Sequence, residues 1–134
     1  MREISQKNIA AARQSLTELE ATAREAKDIA SKAADPDPTY RVAPEIVLLE
    51  ARALVAEQEN DLVNAENLLR QAVALEEKLP IAFGPPTIDK PTHELLGEFL
   101  LRRGRKDEAR AAYAQALART PGRRVALTGL SATR

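Results

Sequence analysis

The sequence predicts an all-α chain of about six helices, and three observations carry that prediction. Alanine and leucine are abundant, while only five glycines and four aromatic residues occur in 134 positions. Side chains of that kind lose little freedom in a helix. Apolar residues recur in steps of three and four along most of the chain. Prolines cluster between those periodic segments, at 36, 38 and 44, at 80, 85, 86 and 91, and at 121. There they deny the backbone donor that a helix needs.

The first helix is expected over 4–33, with Ile9, Ala12, Leu16, Leu19, Ala23, Ala26 and Ala30 forming one narrow apolar stripe. Asp35-Pro36-Asp37-Pro38 stops it. The second is expected to start at Pro44, as a proline at the first helical position would, and to end near Gln58. Asn60-Asp61 makes a tight turn. The third helix then runs to about Lys78 with Leu62, Ala65, Leu68, Leu69, Ala72 and Val73 inward. Segments 34–43 and 79–90 read as proline-rich loops. The fourth helix spans 91–103 and Gly104 ends it. The fifth spans 106–119, closed by Pro121, and a short sixth over 123–132 carries Val125, Leu127 and Leu130.

The stretch ELLGEFLLRRGRKDEARAAYAQALARTP then resembles a tetratricopeptide repeat, whose signature runs L-G, A-x3-aromatic, alanine, proline. Leu96-Gly97 match the L-G pair, Gly104 the turn glycine, Ala109 and Tyr113 the A-x3-aromatic, Ala116 the next alanine and Pro121 the closing proline. His93 stands where the family usually has tryptophan. The match covers about residues 90–123. A degenerate copy lies upstream, where Asn60-Asp61, Ala65, Leu69 and Ala72 keep the order and Arg52-Ala53 replaces L-G. Asn8, Ala12, Leu16 and Leu19 resemble the second helix of a further repeat whose first helix is absent. Ala12, Ala65 and Ala109 are equivalent, at spacings of 53 and 44 rather than the usual 34. The chain as a whole is similar to the C-terminal part of longer bacterial TPR-containing proteins, in which an F-G-P-P loop precedes the last repeat. The resemblance implies one TPR-like domain over 1–134: a half repeat at 4–33, a degenerate repeat at 44–78, a clear repeat at 90–121 and a cap at 123–132. Its hairpins would stack in a right-handed solenoid. Gly97 and Ala109 are then small to let two helices approach, with Tyr113 filling the gap.

Composition bounds the chemistry. With no cysteine, disulfides and thiolate metal sites are absent. HELLGEF at 93–99 lacks the second histidine of a zinc-protease helix, because Gly97 holds that position. Glu76-Glu77 and Glu94/Glu98 read as solvated helix faces before they read as acid–base pairs. The prolines of Gly84-Pro85-Pro86 have no donors with which to cradle phosphate. No catalytic role, metal or cofactor is therefore expected. No apolar run approaches the ~18–20 residues of a membrane span, and the first residues lack the apolar core of a signal peptide. A soluble chain follows, with the cytoplasm favoured.

Charge is uneven. Residues 1–101 carry 11 basic and 18 acidic side chains, a net −7, and residues 102–134 carry 9 basic and 2 acidic, a net +7. The basic tail could follow a phosphate track. Only Tyr113 could stack on a base there, and the repeat resemblance buries it, which argues against nucleic acid.

TPR-like proteins bind peptides on a concave face lined by the first helix of each repeat. That resemblance implies a lining of Val47, Glu50, Leu54 and Glu57 from the second helix, and of Glu94, Glu98, Leu101 and Arg102 from the fourth. Such a surface would suit a protein or peptide with basic and apolar side chains. The lysine/asparagine set that clamps C-terminal carboxylates is absent. Tyr40 and Phe83, in the proline-rich joints, either plug the helix layer or serve as exposed anchors on one edge. The leading expectation is a non-catalytic protein-interaction module. The competing one is a self-assembly unit joined end to end or through the first helix as a homodimer. A first helix of ~45 Å against a second of ~23 Å should overhang it, exposing Ala23, Ala26, Ile29 and Ala30.

Overall fold

In the computed structural model, residues 2–34, 37–81 and 90–134 are described. They form six helices: α1 Arg2–Lys32, α2 Pro38–Gln58, α3 Leu62–Glu76, α4 Thr92–Arg102, α5 Lys106–Arg119 and α6 Arg124–Ala132. Among the described residues there is no β-strand. The chain divides into two compact units, Met1–Leu79 and Pro80–Arg134.

In the first unit, α1 lays its apolar stripe on α2. Ile9, Ala12, Leu16, Leu19, Ala23, Ala26 and Ala30 are all shielded to some degree, while most other side chains of the helix are exposed. Two ion pairs hold the antiparallel register. Arg52 donates to Glu20 from Nε at 3.1 Å and from Nη2 at 2.8 Å, and Arg13 pairs with Glu59.

The start of α2 departs from expectation. The helix begins at Pro38 rather than Pro44, so residues 38–43 are helical and Pro44 lies inside α2. The first-position proline rule applies to Pro38. Asp37 caps it, accepting a hydrogen bond from the Thr39 N–H at 2.8 Å. That bond holds the Asp37 carboxyl below the usual carboxylate range. Pro44 removes one backbone donor, a cost of about 3 kcal/mol in a helix interior. Burial of Ala43 and Ile46 on either side opposes that cost.

The earlier start of α2 also corrects the overhang. Twenty-one residues span about 31 Å. The short connection ties the C-terminal end of α1 to the N-terminal end of α2, so that end is covered. Ala30 is buried, and Ala23 and Ala26 are half-buried. Since Arg13 sits level with Glu59 just past the end of α2, it is the N-terminal backbone of α1 that extends beyond that helix. Ile29 lies off the stripe and is 71% exposed.

Both units contain a hairpin closed by the same turn. In α2–α3, Asn60 has φ +64°, and the Asp61 and Asn60 N–H groups donate to the Ala56 and Glu57 carbonyls at 2.9 and 3.0 Å. In α4–α5, Gly104 has φ +72°, and the Arg105 and Gly104 N–H groups donate to Leu100 and Leu101, both at 3.0 Å. This pair of bonds around a left-handed residue is a Schellman turn, which glycine and asparagine tolerate best. Ala65, Leu69 and Ala72 are buried in the first hairpin, as are Ala109, Tyr113 and Ala116 in the second.

In the second unit α6 packs beside the α4–α5 hairpin through Ala126 and Gly129. Val125 and Leu127, expected as apolar contacts, are about half exposed. The packed face of α6 instead carries Gly129, which lies against Tyr113. A Cβ at Gly129 would lie 2.3 Å from the ring Cζ, and one at Gly97 would lie 2.9 Å from it. The ring therefore fills a slot between two glycines, one on α4 and one on α6.

Candidate functional site

The eight candidate lining residues separate by exposure. On α2, Leu54 is exposed, Val47 and Glu57 are half-buried and Glu50 is buried. On α4, Arg102 is exposed and Leu101 and Glu98 are half-buried. Glu94 is fully buried, which corrects its place on a surface lining. Its Oε2 accepts from Arg123 Nε at 2.7 Å, joining the first turn of α4 to the residue that precedes α6. An acidic side chain in a first turn also faces the positive end of the helix dipole. Glu98 accepts both bonds from Lys90 Nζ, each 2.7 Å. The Glu94/Glu98 pair thus binds cations of its own unit. Glu76, expected on a solvated face, is buried.

Tyr113 feels these carboxylates. Burial first, then the charges of Glu98 and Glu94, raise its phenol above the ordinary value, and Arg102 opposes them. Arg110 reaches across to the last residues, donating to the Thr133 carbonyl from Nη2 and to Thr133 Oγ1 from Nε at 3.3 Å. Arg103 stacks 5.1 Å from the Phe99 ring centroid. Much of the basic tail therefore serves the second unit's own packing. His93 is buried at the start of α4.

Of the two joint aromatics, Tyr40 is 66% exposed in the first turn of α2, so it does not plug the helix layer. Phe83 lies outside the described residues.

Sequence reasoning did not anticipate a groove of about 270 Å³ between α1 and α2. Ala23, Pro44, Leu48 and Leu49 give it an apolar floor, and Arg24, Lys27, Arg41 and Glu45 stand on its rim beside the Glu20–Arg52 pair. It lies on the face of α2 turned toward α1, not the face of Val47 and Leu54. The available signal was Pro44. A proline inside a helix weakens it, and Pro44 lies between Arg41 and Leu48 of the groove.

Among the described residues, no group of three or more acidic or histidine side chains could hold a metal ion, and no helix is long and apolar enough to cross a membrane. No protein-family model, curated protein or solved structure matches the chain at a significant level.

Proposed function

We propose that this chain is a non-catalytic, TPR-like interaction module that holds a segment of another protein. The observation that carries the reading is the α1–α2 groove, where an apolar floor is ringed by charged side chains. Grooves between helices are common docking sites for peptide segments. Support for the TPR-like class comes from the two hairpins. Each closes on a Schellman turn, and each buries an alanine, a larger residue and an alanine at matching positions 44 residues apart.

Photo-crosslinking tests the interaction. A benzophenone side chain at position 48, in the groove, should capture a discrete partner from a lysate of the source cell. The same group at position 63, where Val63 is exposed on α3, should not. Equal labelling from both positions would sink the reading.

A second reading has its own observation. The first unit carries 10 basic and 15 acidic residues and the second 10 basic and 5 acidic, so they are net −5 and net +5. Opposite charges on two parts of one chain favour head-to-tail self-assembly. Light scattering decides it: an assembly should shrink as salt rises, whereas a monomer at every salt concentration ends this alternative.

A further inference from the structure

We infer that the α1–α2 groove takes an acidic amphipathic helix of a partner protein. This rests on the reading of the chain as an interaction module and specifies the partner's chemistry. The first unit has a five-charge excess of carboxylates, so its cations should find partners easily. Arg13, Lys32, Arg52 and Arg70 do, each in an ion pair. Arg24, Lys27 and Arg41 do not pair within the described residues, nor does Lys78 outside the groove, although carboxylates lie within helical reach of Arg24 and Arg41. Asp28, four residues beyond Arg24, pairs with Lys32 at 2.6 Å. Glu45, four residues beyond Arg41, lines the groove without bridging to it.

The three groove cations surround an apolar floor between α1 and α2, formed by Ala23, Pro44, Leu48 and Leu49. An anionic partner with an apolar face satisfies both features together. It brings carboxylates to the cations and covers the floor. The spacing favours a helix. Arg24 and Lys27 are three residues apart on α1, which places them about 4.5 Å apart along the axis. Carboxylates at i and i+3 of a partner helix have the same separation, and those at i and i+4 are about 6 Å apart along the axis. The volume, about 270 Å³, lies just below the ~300–1,000 Å³ of small-molecule pockets. It suits one or two apolar side chains projecting from a longer segment. A phosphate-bearing ligand would need donors converging on one point, and here they are spread around an apolar centre.

The test uses the full chain and a fluorescein-labelled helical peptide with leucine on one face and glutamate at i, i+3 and i+4 positions. Fluorescence anisotropy reads the Kd. Controls are the same peptide with lysine for glutamate and with serine for leucine, and vesicles containing phosphatidylserine. The glutamate–leucine peptide should bind, both control peptides should bind at least about tenfold more weakly, and affinity should fall as salt rises. The double variant K27E/R41E should also lose about tenfold or more. Both residues are exposed, and helical circular dichroism should be unchanged. Glu45→Gln removes the one rim carboxylate with no ion pair and should tighten binding. Unaltered affinity in K27E/R41E, or capture of the vesicles in preference to the peptide, overturns the inference. Tighter binding of the lysine peptide also overturns it but leaves the interaction module standing, with the acidic α2 face as its site. If no peptide binds and no crosslink forms from position 48, both readings fall.

Discussion

The α2–α3 and α4–α5 hairpins turn on the same backbone device but fill their interiors differently. At matching positions the first buries Ala53 and Leu69, and the second places Gly97 against Tyr113. Leucine leaves room for a methyl on the facing helix, whereas the tyrosine ring leaves none. The second hairpin answers with a further glycine on α6, and its ring is sealed on both sides. A buried carboxylate occurs at the same place in each, Glu50 and Glu94. Glu94 pairs with Arg123. The same helical hairpin thus tolerates two fillings between its helices, one built on a leucine and one organised around a ring. The second has more places where one substitution should fail.

The largest effect is expected at Glu94. Its replacement by alanine leaves Arg123 beside a buried space and should cost about 3 kcal/mol, the low end for breaking a buried pair because Arg123 is partly exposed. Native-state hydrogen exchange should show the loss in α4, α5 and α6, with α2 and α3 unchanged. Equal loss in both hairpins would mean that they do not respond separately, and the comparison would break.

A change of sign sharpens it. Gly129→Ala forces a methyl into the Tyr113 ring and should destabilise by about 1–3 kcal/mol. Gly97→Ala meets a milder overlap, and the better helix propensity of alanine, worth up to about 1 kcal/mol, offsets part of it. In a Tyr113→Leu background, which copies the first hairpin, Gly129→Ala should become neutral or stabilising. Urea unfolding of the four variants measures this. Gly129→Ala equally harmful in both backgrounds would show that the ring is not the cause.

The smallest effect is a pH dependence confined to the ring. The folded chain holds the Tyr113 phenol protonated more firmly than the unfolded chain does. The stabilisation is therefore fully present below the unfolded tyrosine value, about 10. It is lost as pH rises from there through the raised folded value. Thermal melts between about pH 8 and 12 should show a steeper alkaline loss for the native chain than for Tyr113→Phe. Parallel curves would mean that burial and the two glutamates do not act on this phenol.

Much of this was determined by the sequence alone. The stripe on α1, the Asn60 and Gly104 turns and the bounds of α5 follow from spacing and residue type, which are local properties; the close approach of Gly97 to Tyr113 is implied by the repeat resemblance. Local rules misplaced the start of α2, because two prolines competed for the first helical position. Asp37 decided for Pro38 by capping it, while the packing of Ala43 and Ile46 kept the helix intact through Pro44. Tertiary structure alone decided three further things: that Glu94 turns inward to Arg123, that Gly129 makes the second wall around Tyr113, and that Arg24, Lys27 and Arg41 meet around one apolar floor. Each joins residues on different helices. Periodicity reports which face of a helix is buried, but not which side chain of another helix will lie against it.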